Sequence, residues 1–499
     1  MSIVEEIYRS CTAGGLNGEL TAKNVSLYYG SPYSIWCEKF AASEHREPMG
    51  PYRELLLERG IQHEKRVLQT RYPGYTPIPY REAREGFLRL LEQMALGAEV
   101  ICGLPMFYLP ENLQGRIDLL EKRRDRGSRF GDYHYAVTEI KLAGNIEETH
   151  LLQAAFYTYL LSWIQGCLPD RFTLINRDGI ESDYRYGDYE KKLQVAISGT
   201  QRILDGLEKP TPTYNGGEWP WMTYTNHMAL RLRDVSLVPL VGPRMKEKLA
   251  ARGIRKIWDL AAASSDFLRE IPGVGRSTAE RLVVNARAIR EGACILLDPL
   301  ALRFSDGTRS LFLDLEGTDP SGEQEGLEQV DYLIGLLIEE PDGVRYRPFM
   351  AWRIDEEERM FREFVDFVTA LDNTVIYHWH NYERWHLKKL ADRHGLADPL
   401  ETWILPRMVD LHRVATRAFA FPTPTNGLKD IAKHLGFRWR HDDVNALDAI
   451  AWYLRAQKDP EPWREKLAAV IDYNEDDCLA TKFIKDWLVS QAGGDSSGS

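Results

Sequence analysis

Two sets of carboxylates in this chain stand at spacings suited to divalent metal. In Leu311-Phe-Leu-Asp314-Leu-Glu316-Gly, two acids lie two residues apart at the end of an apolar run. On a strand, that spacing sends both to one face and Leu313 and Leu315 to the other. Like charges so close are costly unless a cation neutralises them. Glu383 follows a second apolar run containing His378 and His380, and Tyr473 and Asp477 stand four apart on one face of a helical stretch. Four acids from separate elements could cradle two metal ions about 4 Å apart, clamping the attacking and leaving oxygens of a phosphodiester, with Tyr473 orienting the water. Glu383 has a second reading, as an exposed acid at a helix N-terminus favoured by the dipole. His378 and His380 are either ligands or satisfied strand-end histidines; Asp410 and Asp442-Asp443 are secondary candidates.

The second set lies nearer the N-terminus. Asp118, in Gly115-Arg-Ile-Asp-Leu-Leu, and Glu139, in Glu139-Ile-Lys141, can meet at one edge of a sheet if their segments are neighbouring strands. Lys141 then points to the same face as Glu139, and two carboxylates there can hold Mg²⁺ or Mn²⁺ through oxygen. Its ammonium can position water or offset charge developing on a phosphate. Upstream, Glu64 offers another carboxylate and His63 a ligand or phosphate contact. Downstream, Gln153 and Tyr157 share a helical face.

The elements that must position these residues follow from periodicity and punctuation. In the N-terminal region we expect helices over 54–69, 80–96 and 148–164 and strands over 115–121 and 133–141. The run Pro210-Thr-Pro-Thr-Tyr-Asn-Gly-Gly is a plausible boundary. The C-terminal region predicts strands over 311–316, 329–338, 346–352 and 374–379 and helices over 355–370 and 382–394. Its last 150 residues are mainly helical, and Leu428, Ile431 and Leu435 are core positions.

Between the two, Leu237-Val-Pro-Leu-Val-Gly242-Pro-Arg244-Met-Lys246 and Leu268-Arg-Glu-Ile-Pro-Gly273-Val-Gly275-Arg276 share one plan: helix end, glycine hairpin, new helix. The N–H groups of the new helix suit a phosphate oxygen. Residues 236–290 carry eleven Lys/Arg against five Asp/Glu, whereas the whole chain has a net charge of −11. That local excess favours phosphate contact by Gly242, Arg244, Lys246, Gly273, Gly275 and Arg276, although such hairpins also serve as protein joints.

The 499 residues suggest about three domains. The overall negative charge argues against indiscriminate coating of nucleic acid but is compatible with carboxylate-built metal sites. No long uncharged apolar run predicts a membrane span. The start, MSIVEEIYRSC, lacks the pattern of a signal peptide, so cytoplasmic residence is the expectation. Six scattered cysteines, without a CxxC pair, read as reduced thiols.

The ordered motifs Gly-x-x-His-Glu, Gly-x-x-Asp, Glu-x-Lys and Gln-x-x-x-Tyr over residues 25–175 resemble the RecB-like PD-(D/E)XK nucleases. That resemblance implies a restriction-endonuclease-like α/β core and catalytic roles for Asp118, Glu139 and Lys141, with Gln153 beside them. Many such relatives hold an iron–sulfur cluster, but the corresponding stretch 214–230 has no cysteine, so none is expected here. Ile271-Pro-Gly-Val-Gly275 resembles the helix-hairpin-helix element that grips DNA backbone, and the first hairpin is a looser copy. Residues 308–490 resemble the RNase H-like exonucleases of the DEDDy type, which implies catalytic roles for Asp314, Glu316, Tyr473 and Asp477. Glu383 stands where that family has Asp, one methylene longer. The arrangement as a whole resembles a bacterial and archaeal family of RecB-like nucleases.

The expected architecture is therefore a multidomain α/β protein. It comprises a PD-(D/E)XK domain at 1–228, a small all-α tandem helix-hairpin-helix module at 229–295, an RNase H-like 3'-5' exonuclease domain at 296–490 and a disordered tail at 491–499. The expected activity is Mg²⁺- or Mn²⁺-dependent hydrolysis of nucleic acid, DNA preferred and RNA possible, in a setting of repair or defence. Two alternatives stay open: one active site with the other a binding surface, or a non-catalytic subunit recruited to a helicase or other machine.

Overall fold

The computed structural model describes residues 2–14, 18–304, 309–318, 327–340, 343–441 and 444–492. Asp442, Asp443 and residues 493–499 of the expected tail lie outside them. The chain divides into two compact units, Met1–Met49 with Arg53–Met228, and Gly50–Tyr52 with Ala229–Ser499.

The first unit contains β1 (Val100–Cys102), β2 (Pro105–Tyr108), β3 (Leu113–Arg116), β4 (Leu119–Arg123), β5 (His134–Ile140), β6 (Arg171–Ile175) and β7 (Glu181–Arg185). Five of these form one sheet in the order β1-β4-β5-β6-β7, mixed in direction, while β2 and β3 pair separately. Every residue of β5 is buried, as a strand covered on both faces requires. The helix Glu148–Gln165 packs across it, and Phe156 and Leu160 share a core with Tyr135, Val137 and Phe172.

The single strand expected over 115–121 is instead two. β3 pairs with β2, β4 pairs with β1 and β5, and the backbone changes partner at Ile117–Asp118. β6 and β7 were not foreseen; both have only five residues, and β7 alternates between exposed and half-exposed positions and carries no apolar signal. The Pro/Gly stretch after Pro210 is no boundary. Beyond it the Glu218 N–H donates to Ser34 Oγ (2.8 Å) and Trp221 Nε1 to Glu38 (2.7 Å), which keeps it in the first unit.

In the second unit, helices Pro243–Ala250, Ile257–Ala262, Ser265–Arg269 and Arg276–Glu291 gather around buried Leu249, Leu260, Leu268 and Leu282. A short ribbon of β8 (Ile295–Leu296) with β14 (Phe419–Ala420) follows. The main sheet comprises β9 (Arg309–Gly317), β10 (Asp331–Glu340), β11 (Gly343–Met350), β12 (Thr374–His378) and β13 (Met408–Asp410), in the order β11-β10-β9-β12-β13. The β9, β10 and β11 strands are antiparallel, whereas β12 and β13 run parallel to β9.

Leu311, Leu313 and Leu315 of β9 face the helices Glu357–Thr369 and Tyr382–His394, where they meet Phe361, Phe364 and Leu387. The 29-residue helix Arg464–Ala492 packs on β9 and β10 and runs into the stretch expected as tail. Among the described residues, no helix is long and apolar enough to cross a membrane.

Candidate functional site

The alternation of β9 puts Asp314 and Glu316 on the face opposite its leucines, toward the helix Arg464–Ala492. That helix presents Tyr473 and Asp477 one turn apart. Each of Asp314, Glu316 and Asp477 offers a carboxylate oxygen, and the three oxygens lie within 4.8 Å of one another. Glu316 and Asp477 are buried, and Asp314 is half-buried. Burial and then the neighbouring carboxylates push Asp314 well above the usual carboxylate range and Glu316 up to about 8. Burial also raises Asp477 to about 6, against hydrogen bonds from Trp439 and Tyr473 and the charge of Lys429. This is the electrostatic signature of a site short of positive charge.

Glu383 stands in the first turn of its helix and is buried, not exposed. Its charge is felt by Asp314 and Glu316, although it lies outside the three-acid group. One carboxylate oxygen stands 3.5 Å from His378 Nδ1, and neither atom makes a hydrogen bond. His378 thus faces Glu383, whereas exposed His380 stacks edge-on with His412. Asp410 caps the next helix, accepting from the Arg413 N–H (3.1 Å).

Three residues that motif reasoning passed over hold the acids in place. Asn474 Nδ2 donates to Asp314 (2.6 Å), and its Oδ1 accepts from Tyr346 OH (2.7 Å). It reaches Asp314 because Gly335 opposite has no side chain; a Cβ there would meet Asn474 Oδ1 at 1.6 Å. Trp439 Nε1 donates to Asp477 (2.7 Å). The Lys429 ammonium lies 4.4 Å from the Tyr473 ring centroid, a cation–π distance. Asn474, beside Tyr473, was the most legible of the three in sequence.

Residues 311–489 match the RNase_H superfamily. Residues 232–288 match the SAM-like helix-hairpin-helix tandem. Among solved structures, the family B DNA polymerase from the hyperthermophilic archaeon Pyrobaculum calidifontis aligns at 21% identity with a TM-score of 0.30. That alignment covers 38% of this chain and spans only 25% of the polymerase chain. No curated protein matches the chain. The acids described above therefore sit in an RNase H-like domain, and the hairpins in a helix-hairpin-helix tandem.

In that tandem, Gly242 and Gly275 are the N-caps of the two new helices. Both have ordinary extended backbone, and a Cβ at either would meet nothing within 4 Å, so each leaves the N–H groups of its helix open to approach. Gly273, with φ +85°, does need its freedom. Arg244 and Arg276 are exposed, Arg276 pairing with Glu280 (2.9 Å). Lys246 departs from expectation. Its ammonium pairs with buried Asp234 (3.0 Å), and burial lowers its pKa, so it braces the module rather than facing a phosphate.

The first unit also brings its predicted residues together. The partner change at Ile117–Asp118 takes Asp118 out of both ladders and turns its carboxylate to β5, where it accepts from the Ile140 N–H (2.8 Å). Glu139 Oε1 accepts from the Asp118 N–H (3.4 Å), and its Oε2 pairs with Lys141 (2.9 Å). Lys141 also donates to Gln153 Oε1 (3.1 Å), which in turn reaches Ser26. Burial and then the charge of Asp118 raise Glu139 to about 7. Burial opposes the charge of Lys141, but Glu139 and Asp118 outweigh it and hold its pKa up.

Glu64, from the helix Pro51–Arg71, feels the charge of Asp118 and is raised by burial. Tyr157 packs over Gly115, where a Cβ would meet its ring at 2.4 Å. His63 is buried, with Nδ1 against Arg66 (3.1 Å), and burial lowers its pKa. The six cysteines are free thiols.

Proposed function

We propose that this protein is a divalent-metal-dependent nuclease that hydrolyses phosphodiester bonds, with DNA the preferred substrate. The observation that carries the proposal is the convergence of half-buried Asp314 with buried Glu316 and Asp477, from a strand and a helix, in an RNase H-like domain. Domain boundaries at 1–228, 229–295 and 296–490 frame it as an N-terminal PD-(D/E)XK nuclease, a nucleic-acid grip and a 3'-5' exonuclease of DEDDy type.

The residues present fit metal: burial and then their neighbours raise the acids against the partial offset of Lys429, and Glu383 Oε2 makes no hydrogen bond. Asp314, Glu316, Asp477 and Glu383 would hold Mg²⁺ or Mn²⁺, which supplies Lewis-acid polarisation of the phosphate and an ionised water at neutral pH. Tyr473, hydrogen-bonded to Asp477, orients that water; Asn474 and Trp439 fix the carboxylates; Lys429 offsets charge at the rim. Asp118 and Glu139 would hold metal in the first unit, with Lys141 beside the phosphate and Gln153 steadying Lys141.

The test is a panel of linear and circular single- and double-stranded DNA and RNA, assayed with Mn²⁺, Mg²⁺ or chelator. Asp118→Ala, Asp314→Ala and the double variant complete it. Cleavage of linear but not circular DNA, lost with chelator and in the double variant, is expected. Activity that survives in the double variant refutes the proposal. A second reading, turnover at the C-terminal site alone, is favoured because its three acids form the one metal-sized group of three among the described residues. It requires Asp118→Ala to behave as wild type.

A further inference from the structure

The two hairpins of the tandem follow one sequence plan, Val238-Pro239-Leu240-Val241-Gly242 and Ile271-Pro272-Gly273-Val274-Gly275, and one backbone. Val241 N–H bonds to the Val238 carbonyl (3.0 Å), as Val274 N–H does to that of Ile271 (3.0 Å). Each is a four-residue turn with proline second and a positive φ third, the place where glycine is usual. The third residue is Gly273 at φ +85° in one hairpin and Leu240 at φ +78° in the other. A leucine rarely adopts that backbone, and this one gains no burial in return, since its side chain is 59% exposed. Strain kept at an exposed tip points to use rather than to packing.

The same comparison shows what the use is not. At Gly273 the turn carries no side chain, whereas Leu240 puts an exposed apolar one at the matching place. The cation after the first hairpin, Lys246, is committed to Asp234. The helix after the first hairpin packs on the second: its Lys248 donates to the Pro272 carbonyl (2.6 Å). Leu240 is thus an exposed apolar tip in a module rich in positive charge. Wedge residues in DNA-binding proteins have this character, and inserting one costs least where bases are already unstacked.

We infer that the tandem is asymmetric: the second hairpin holds backbone phosphate, and Leu240 of the first stacks on an unpaired nucleobase at a frayed duplex end. This rests on the nuclease reading, because an exonuclease acts at such ends. The test uses the full-length protein carrying Asp118→Ala and Asp314→Ala to prevent cleavage, with and without Leu240→Gly. The probes are a closed circular duplex and a linear duplex with a single-stranded extension bearing 2-aminopurine at the junction. With Leu240 present, we expect the fluorescence of the junction base to change on binding.

Leu240→Gly should abolish that change and weaken junction binding at least fivefold. Closed-duplex binding should stay the same, and the melting temperature should hold or rise. Unchanged junction binding and fluorescence overturn this inference alone. An equal loss on both DNAs, with a lower melting temperature, shows a structural leucine and also overturns it. If the protein with Leu240 intact binds neither DNA, the nuclease reading falls with it.

Discussion

The two acidic clusters solve the same electrostatic problem differently. In the first unit Lys141 sits inside the cluster, 2.9 Å from Glu139, and β5 and the turn of the chain just before β4 deliver both carboxylates beside it. In the RNase H-like domain the acids face one another, and Lys429 lies over the Tyr473 ring at their rim. The consequence shows in the acids themselves. In the first cluster burial and then Asp118 raise Glu139, whereas in the second Asp314, Glu316 and Asp477 are all raised. A cluster with its own ammonium can persist with little bound cation. One whose ammonium, Lys429, lies only at the rim keeps repulsion that bound cations relieve. We therefore expect the C-terminal site to bind divalent ions more tightly and to depend on them for stability as well as for chemistry.

Removing one acid from each cluster breaks the comparison most directly. Asp314→Ala should lower exonucleolytic turnover by more than the roughly 10–100-fold that loss of an outer supporting residue costs. It should also abolish the heat of Mn²⁺ binding to the second unit in calorimetry. Glu139→Ala should leave that heat intact and remove only cleavage due to the first unit. If Glu139→Ala erased the larger binding heat, the ranking of the two sites would be reversed.

Glu383 sharpens the comparison within the C-terminal site. It is buried and its charge reaches Asp314 and Glu316, so Glu383→Gln should cost about 10–100-fold in rate. Glu383→Asp should cost less while changing the preference between Mg²⁺ and Mn²⁺, because a shorter arm alters reach and not charge. A Gln variant as active as wild type would return Glu383 to the role of a helix-terminal acid. Asn474→Ala should have a smaller effect, about tenfold in rate, since Asp314 keeps its charge but loses its orienting donor. It should also cost about 1 kcal/mol of stability, because Tyr346 OH loses its acceptor. A rate loss equal to that of Asp314→Ala would mean that Asn474 does more than orient.

Much of this was legible from spacing alone. Asp314 and Glu316 share a face because a strand alternates, and Tyr473 and Asp477 because a helix turns, so two elements sufficed to anticipate their faces. The proximity of Asp118 and Glu139 was also legible, but its cause was not: the exchange of strand partners at Ile117–Asp118 depends on β1 and β2, too short to announce themselves. Asn474, Trp439 and Lys429 were out of reach for another reason. Each acts through a contact across 30 or more residues of sequence, and no local period records such a contact. Lys246 misled because exposure cannot be read from charge: it is a cation in a basic module, yet a buried Asp234 claims it.

The finest distinction between the clusters lies in pH. An acid whose pKa is higher in the folded than in the unfolded chain makes folding take up protons. Its contribution to stability is full below its unfolded value, near 4.5 for Glu, and is lost as pH rises through the folded value. For Asp477 and Glu316 those folded values are about 6 and about 8. With chelator present, the second unit should therefore melt several degrees lower at pH 9 than at pH 5. Saturating Mn²⁺ should remove most of that slope, since ion binding replaces protons on the same oxygens. The first unit should show a shallower slope ending nearer pH 7, because Lys141 already compensates Glu139. Differential scanning calorimetry resolves the two transitions, and Glu316→Gln should flatten only that of the second unit. A slope that is equal in both units, or untouched by Mn²⁺, would show that the ammonium of Lys141 is not what separates them.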